Sequence, residues 1–180
     1  YALQRQILVE KQRRIFQTNR QKTWPLGLSF YWPINAIMRL WLWLLDRLYA
    51  LIGYGYRPGN LAILLVPLFT AGVYIFHAAY EAGDFAPNSD VILSTPEWKQ
   101  AAETESNPAK AWSAKGAAGA DYETFNRYAY AADIVVPIIA LGQEEAWAPS
   151  TTRGPWGWYA WWSRWVLKGM GWIVTALGAA

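Results

Sequence analysis

The sequence predicts an all-α integral membrane protein with two transmembrane helices. An interfacial helix precedes the first, and a re-entrant or interfacial helix lies between them. Three observations predict this class. Only 16% of the 180 residues are charged, against about a quarter in soluble domains. The chain has 13 tryptophans, whose amphipathic rings favour membrane–water interfaces. Residues 60–79 carry no charge over about 30 Å of helix, the thickness of a hydrocarbon core.

Composition also limits the chemistry. Without cysteine the chain forms no disulfide, thiolate metal site or cysteine nucleophile. It has a single histidine and no nucleophile elbow, metal-ligand cluster or glycine-rich phosphate loop. We therefore expect a protein that is not an enzyme and that has no cofactor, no metal and no nucleic-acid partner. The mean hydropathy of +0.02 is too low for a bundle made wholly of spanning helices, so we also expect a sizeable water-exposed part.

Residues 1–23 predict a basic cytoplasmic helix, because apolar residues recur there at roughly helical spacing between Lys and Arg. The favoured interpretation is the solvated last helix of a cytoplasmic domain; the alternative is a surface for anionic lipid or an acidic partner. The chain begins at Tyr1 rather than Met and stops within the apolar run TALGAA. We expect it to be the ordered part of a longer protein.

Residues 34–53 predict an interfacial amphipathic helix. The segment is strongly apolar but contains Arg39, Asp46 and Arg47, which are costly at the centre of a bilayer. Trp41 and Trp43 suit the same interface.

The Gly-Tyr-Gly that follows, residues 53–55, has the letters of a potassium-channel filter. It precedes the first span on the basic side of the chain, so it predicts a helix stop and a tight turn instead.

Residues 59–80 predict the first transmembrane helix, kinked at Pro67. His77 lies near its outer end and has two interpretations. It is a weak candidate for binding haem or a chlorophyll magnesium. The favoured interpretation is an interfacial histidine that bonds water or a headgroup.

Residues 81–124 predict an extracytoplasmic acidic loop, with one short helix beginning near Thr95-Pro96-Glu97.

Residues 125–142 predict the re-entrant or interfacial helix, which is interrupted by Pro137 and ends at Gly142. Asp133 in this apolar stretch is either a functional group or the polar face of an interfacial helix.

Residues 157–180 predict an interfacial tryptophan belt and the second transmembrane helix. The belt consists of Trp158, Trp161, Trp162 and Trp165, with Arg164 and Lys168 extending their charged ends to the interface. A less favoured interpretation is that these rings stack against pigments, quinones or lipid. The span proper begins near Val166.

Charge asymmetry predicts the orientation. Residues 1–58 hold nine Lys+Arg and two Asp+Glu, whereas residues 81–155 hold five and eleven. Because basic loops stay in the cytoplasm, the N-terminal segment is predicted inside a bacterial inner membrane and the acidic loop outside.

The predicted order of elements resembles the pore module of two-transmembrane tetrameric cation channels. That order is span, polar loop, short apolar helix, glycine turn and second span. Two segments are similar to motifs of a bacterial family. They are GYGYRP before the first span and YAYAADIVVPIIALGQEEAWAP before the second. In that family a repeat domain precedes such a membrane module, and some members are labelled membrane-associated oxidoreductases. The chain has no G-x-G-x-x-G to match that label. Ile138, Ile139 and Ala140 replace the filter hydroxyls, so no potassium site is carried over.

Two functions stay open. The first is a homo-oligomeric, channel-like pore-loop module with altered or lost ion selectivity. The second is an accessory or anchor subunit that packs against a larger photosynthetic or respiratory complex in the lipid bilayer. The pore and turn candidates are Asp133, Gly142, Gln143, Glu144 and Glu145. Glu144 and Glu145 form a cation-attracting ring in the pore interpretation, and are two solvated loop acids in the favoured one.

Overall fold

The computed structural model describes residues 2–22 and 61–179, together with the isolated positions 37, 40, 42, 43 and 47. The predicted interfacial helix over 34–53 and the Gly-Tyr-Gly turn therefore lie outside the continuously described residues. The chain divides into two compact units, residues 1–63 with 176–180 and residues 64–175. Most of the described residues are helical, in agreement with the predicted class.

In the first unit, helix α1 runs from Ala2 to Lys22. Its apolar residues Ile7, Leu8 and Ile15 are exposed. Arg14 pairs with Glu10 one turn earlier at 3.4 Å, an exposed pair of the kind that contributes only a few tenths of a kcal/mol. Every side chain of this helix that the structure describes is exposed.

Helix α2, Leu61–Glu81, contains the uncharged run and Pro67. Among the described residues it is the one helix long and apolar enough to cross a membrane, and only 11% of its apolar window is buried. A core helix of a soluble domain would bury most of that surface. Gly83, with φ of 81°, ends the helix in a Schellman motif. There Gly83 N–H donates to the carbonyl of Tyr80, and Asp84 N–H donates to that of Ala79.

The segment after α2 is folded, which corrects the prediction of an acidic loop with one short helix. Its elements are strand β1 Phe85–Pro87 and helices α3 Asp90–Ser94, α4 Pro96–Thr104 and α5 Pro108–Trp112. Thr95 caps α4, as its sequence predicts, by accepting the Trp98 N–H at 3.3 Å. The segment folds because its aromatic side chains form a core, whereas the sequence predicted only that it is exposed to water.

Three of the tryptophans belong to that core rather than to a membrane interface. Trp98 meets Trp112 edge-to-face at 5.6 Å, and Trp112 meets Tyr122 at 5.4 Å. Tyr122 in turn meets Trp147 at 5.4 Å. Tyr80 stacks on Phe125 at 4.1 Å, which continues the chain of rings to the end of α2. Such pairs add about 0.5–1.5 kcal/mol each beyond their buried area.

The remaining elements are α6 Arg127–Val135, α7 Gln143–Ala146, β2 Trp147–Pro149 and α8 Pro155–Ala179. Strands β1 and β2 pair antiparallel in the order Phe85 with Pro149, Ala86 with Ala148 and Pro87 with Trp147. The sequence analysis missed this two-stranded sheet. It joins the chain just after α2 to the chain just before α8.

Helix α6 packs against both long helices, and glycines make two of the contacts. A Cβ placed on Gly72 of α2 would lie 3.4 Å from both Ala131 of α6 and Leu167 of α8. Gly171 of α8 lies directly against the carbonyl of Val135, at the end of α6. Helix α8 has the length to span a bilayer, but among the described residues only α2 also has the apolarity of a membrane span, so the two-span prediction is not confirmed. Interspersed Gly, Trp, Arg and Lys keep α8 below the apolarity of α2.

We expect Gly171→Ala to lower the stability of the protein by about 1–3 kcal/mol, because the added methyl group would overlap the Val135 carbonyl. Gly169→Ala is the matched control two residues earlier, where nothing lies within 4 Å of an added Cβ. There alanine should be neutral or stabilise the helix by up to about 1 kcal/mol. Thermal unfolding followed by tryptophan fluorescence measures both. Equal melting temperatures for the two variants would contradict the packing of α8 on α6.

Candidate functional site

The candidate site is the loop of residues 136–142, which follows α6. Asn126 caps the start of α6 by accepting the N–H groups of Tyr128 and Ala129 at 3.0 and 3.2 Å. The helix ends at Val135 because Pro137 forces the preceding Val136 into an extended conformation, with φ −112° and ψ 92°. The helix thus ends just before Pro137, where an interruption was predicted, but residues 136–142 do not resume it as the prediction over 125–142 required.

Asp133 fastens this loop to α6. Its buried carboxylate accepts the backbone N–H of Leu141 at 2.6 Å, of Gln143 at 2.8 Å and of Glu144 at 3.2 Å. Two of these donors belong to the first turn of α7, which has no side-chain cap from Gly142. Asp133 is neither a free functional acid nor the polar face of an interfacial helix. Its charge is balanced by backbone dipoles that hold the loop closed.

The loop presents apolar side chains outward. The exposed fraction is 79% for Ile138, 39% for Ile139 and 52% for Leu141. Gly142 has φ of 80° and turns the chain into α7, as the predicted glycine turn requires. A loop pinned at one end and apolar at its tip holds a fixed hydrophobic surface outside the core of this chain.

Gln143 is fully buried and joins the loop to the segment before α6. Its amide nitrogen donates to Glu123 Oε1 at 2.9 Å and to the Thr124 carbonyl at 3.0 Å. Its oxygen accepts the Asn126 N–H at 2.8 Å. The sequence predicts Gln143 as a pore or turn residue, and the structure places it in a positioning role beneath the loop.

Glu144 forms an ion cluster with two basic residues of α8. Lys168 Nζ lies 2.8 Å from each Glu144 carboxylate oxygen, and Arg164 Nη2 lies 3.2 Å from Oε1. The Glu144 side chain is 20% exposed and that of Arg164 is 17% exposed. The favoured interpretation of Glu144 as a solvated acid is therefore wrong. The same contacts show Arg164 and Lys168 turned to Glu144 rather than to lipid headgroups. Glu145 is exposed.

Tyr130 lies close to this ion cluster inside α6. Its hydroxyl is buried and has no hydrogen-bond partner among the described residues, and the same is true of Arg164 Nε. Burial raises the pKa of the Tyr130 phenol, and the nearby Arg164 charge opposes the rise in part. Two buried polar atoms beside the Glu144 cluster thus lack a partner among the described residues.

The other predicted site residues lie elsewhere. His77 is half-buried and lines a separate cleft at the end of α2. Trp41 lies outside the described residues, and Trp43 is exposed. On α8, Trp158, Trp162 and Trp165 are exposed and Trp161 is half-buried, with successive rings in edge contact. The loop thus gathers Asp133, Gly142, Gln143, Glu144, Arg164 and Lys168, and leaves out His77 and the tryptophans.

Asp84 is a positioning residue that the sequence analysis missed. Its buried carboxylate accepts the Gly157 N–H at 2.9 Å and thereby caps the start of α8. Gly154 and Gly157 allow this close approach, because a Cβ on either would meet Asp84. Burial lowers the pKa of the neighbouring Arg153, while the Asp84 charge raises it. The sequence signal was the pair of glycines flanking Pro155.

No protein-family model, curated protein or solved structure matches this chain. Within the described residues, no group of three or more His, Asp or Glu side chains is placed to hold a metal ion.

We expect Asp133→Asn to loosen the 136–142 loop, because the amide keeps one acceptor and places an NH₂ group against a backbone donor. The loss of charge-assisted bonds predicts at least tenfold faster hydrogen exchange at Leu141, Gln143 and Glu144. Asp121→Asn, at an exposed position, is the matched control and should leave exchange unchanged. Unaltered protection in the Asp133 variant would mean that the carboxylate does not hold the loop.

Glu144→Gln should destabilise the protein by about 2 kcal/mol, because it leaves Arg164 and Lys168 without their carboxylate in a partly buried position. Glu145→Gln removes the same charge from an exposed neighbour and should cost little. A double-mutant cycle with Lys168→Met isolates the pair. Additive effects of the two substitutions on the free energy of unfolding would show that the ion pair contributes nothing.

Proposed function

We propose that this chain is a non-enzymatic pore-loop module that assembles as a symmetric homo-oligomer in a bacterial inner membrane. The loops of residues 136–142 meet at the axis of the ring. The observation that carries the proposal is the exposure of Ile138, Ile139 and Leu141 on a loop that Asp133 fixes in place. A rigid apolar surface of this kind favours association with further apolar surface over contact with water.

The surroundings of the loop support the same arrangement. A short helix, α6, leads into the loop and packs between two long helices, α2 and α8. That is the order of elements in the channel pore module that the sequence resembles. In the proposed orientation, α2 and α8 cross the bilayer, the basic N-terminal segment is cytoplasmic and the aromatic core of the acid-rich segment lies outside.

The selectivity of such a pore would differ from that of a potassium channel. Ile138, Ile139 and Ala140 supply no hydroxyl group in the loop. Glu144 has its charge compensated by Arg164 and Lys168, so it adds little to a ring of carboxylates. Glu145 is the acid of this region left to attract cations. An apolar constriction that excludes water, with selectivity altered or lost, fits these side chains best.

The alternative is an accessory or anchor subunit of a larger membrane complex. Its specific support is the outer face of α8, where Trp158, Trp162, Trp165 and Trp172 are all exposed. At 100° per residue these rings lie on one side of the helix, and they extend along about 21 Å of its length. A belt at one membrane interface would be shallower, so a packing surface along the helix is the competing use.

Oxidative cross-linking distinguishes the two functions. Because the chain has no cysteine, Ile138→Cys introduces its single thiol at the tip of the loop. We expect disulfide-linked dimers within the ring for this variant, and few for Ala118→Cys, which places the thiol at an exposed position of the acid-rich segment.

The mass of the detergent-extracted assembly completes the test. A homo-oligomer, of four chains in the resembled modules, is expected. One copy of this chain among unlike subunits, with no Ile138→Cys dimer above the Ala118→Cys level, would reject the pore-loop proposal in favour of the accessory subunit.

A further inference from the structure

A second candidate site lies where the last turn of α2 meets the first turn of α6. It is a cleft of about 290 Å³, separate from the 136–142 loop. Its walls are aromatic and its polar groups include one imidazole, one guanidinium and one carboxylate. The lining residues are His77, Tyr80, Glu81, Phe125, Asn126, Arg127 and Tyr128.

The charges around this cleft leave one positive charge uncompensated. Glu81 is paired with Lys110 at 3.2 Å. Arg127 is half-buried, donates to Tyr128 Oη at 3.0 Å and lies 4.8 Å from the centre of that ring. In the part of the chain that the structure describes, no carboxylate lies within ion-pair distance of Arg127 or His77. The cleft therefore suits a ligand group with one negative charge.

The depth of the cleft indicates the kind of molecule that carries that charge. Helix α2 has 21 residues and a length of about 30 Å, so its ends lie at the two surfaces of a bilayer that it crosses. Glu81 ends α2 at the edge of the hydrocarbon core, beside the phospholipid headgroups, and His77 lies one turn, about 6 Å, deeper. Tyr80 and Tyr128 provide amphipathic rings, and Phe125 an apolar one, along the wall that a glycerol backbone would meet at this depth.

We propose that this cleft binds the phosphodiester of a glycerophospholipid headgroup. Arg127 is the principal contact and the His77 imidazole is a second donor. A phosphodiester carries a single negative charge, equal and opposite to the excess on the cleft. The proposal depends on α2 crossing the bilayer but not on the chain forming a pore, because every lining residue belongs to one chain.

Native mass spectrometry of the detergent-solubilised protein, titrated with phosphatidylglycerol, tests this site. We expect Arg127→Gln to weaken binding of the first lipid about tenfold, as the loss of a charge-assisted hydrogen bond implies. Arg127→Lys should recover part of the affinity. Because Arg127 is the first residue of α6, removing its positive charge should not weaken the helix. Lys115→Gln makes the same charge change at an exposed position and should bind lipid as the unmodified chain does.

Three outcomes would overturn the proposal. Equal affinity in the Arg127→Gln variant would place the lipid elsewhere. If Lys115→Gln weakens lipid binding as much as Arg127→Gln does, the effect comes from the net charge of the protein and not from the cleft. Displacement of the lipid by an equal concentration of inorganic phosphate would make the cleft a site for the free ion rather than for a headgroup. Retained lipid under that competition, together with the Arg127 effect, supports the headgroup site.

Discussion

The contact between the Asp133 carboxylate and three backbone N–H groups is the constraint on which the site depends. Residues 136–142 have left the helical hydrogen-bond pattern, and a backbone N–H group that is buried without a partner costs about 1–3 kcal/mol. Asp133 accepts the N–H of Leu141 in this loop and those of Gln143 and Glu144 in the first turn of α7. By starting α7 at Gln143, it also brings Glu144 to Lys168 and Arg164 on α8. One side chain therefore determines both the path of the loop and its attachment to the neighbouring helix.

A second constraint comes from the aromatic core of the acid-rich segment. The rings from Trp98 through Trp112, Tyr122 and Trp147 form a continuous series of edge contacts. Short helices of five to nine residues are marginal on their own, so packing on these rings holds α3, α4 and α5 in place. The same core buries Phe76 and Phe85, and so anchors the end of α2 to a rigid base.

Local signals in the sequence predicted several elements well. The uncharged run predicted α2, and the Thr95-Pro96 pair predicted the start of α4. Gly142 predicted the turn into α7. Contacts between segments that are distant along the chain could not be predicted from the sequence. The pairing of Glu144 with Arg164 and Lys168 joins residues at least 20 positions apart, and composition alone favoured solvent or lipid as their partners. The tryptophan count indicated a membrane interface but did not reveal that Trp98, Trp112 and Trp147 form a core, because an amphipathic ring suits both environments.

The pairing of β1 with β2 has a consequence for how this chain tolerates change. Three residue pairs close a long excursion, from Asn88 to Ala146, into a loop with a fixed base. The entropy of closing such a loop grows only with the logarithm of its length, so added residues are inexpensive once the base has formed. Gly116, with φ of 83°, has no atom within 4 Å of where a Cβ would stand, so the chain has open space at this turn. The excursion is therefore suited to carry an epitope, a label or a fused domain while the two long helices keep their spacing.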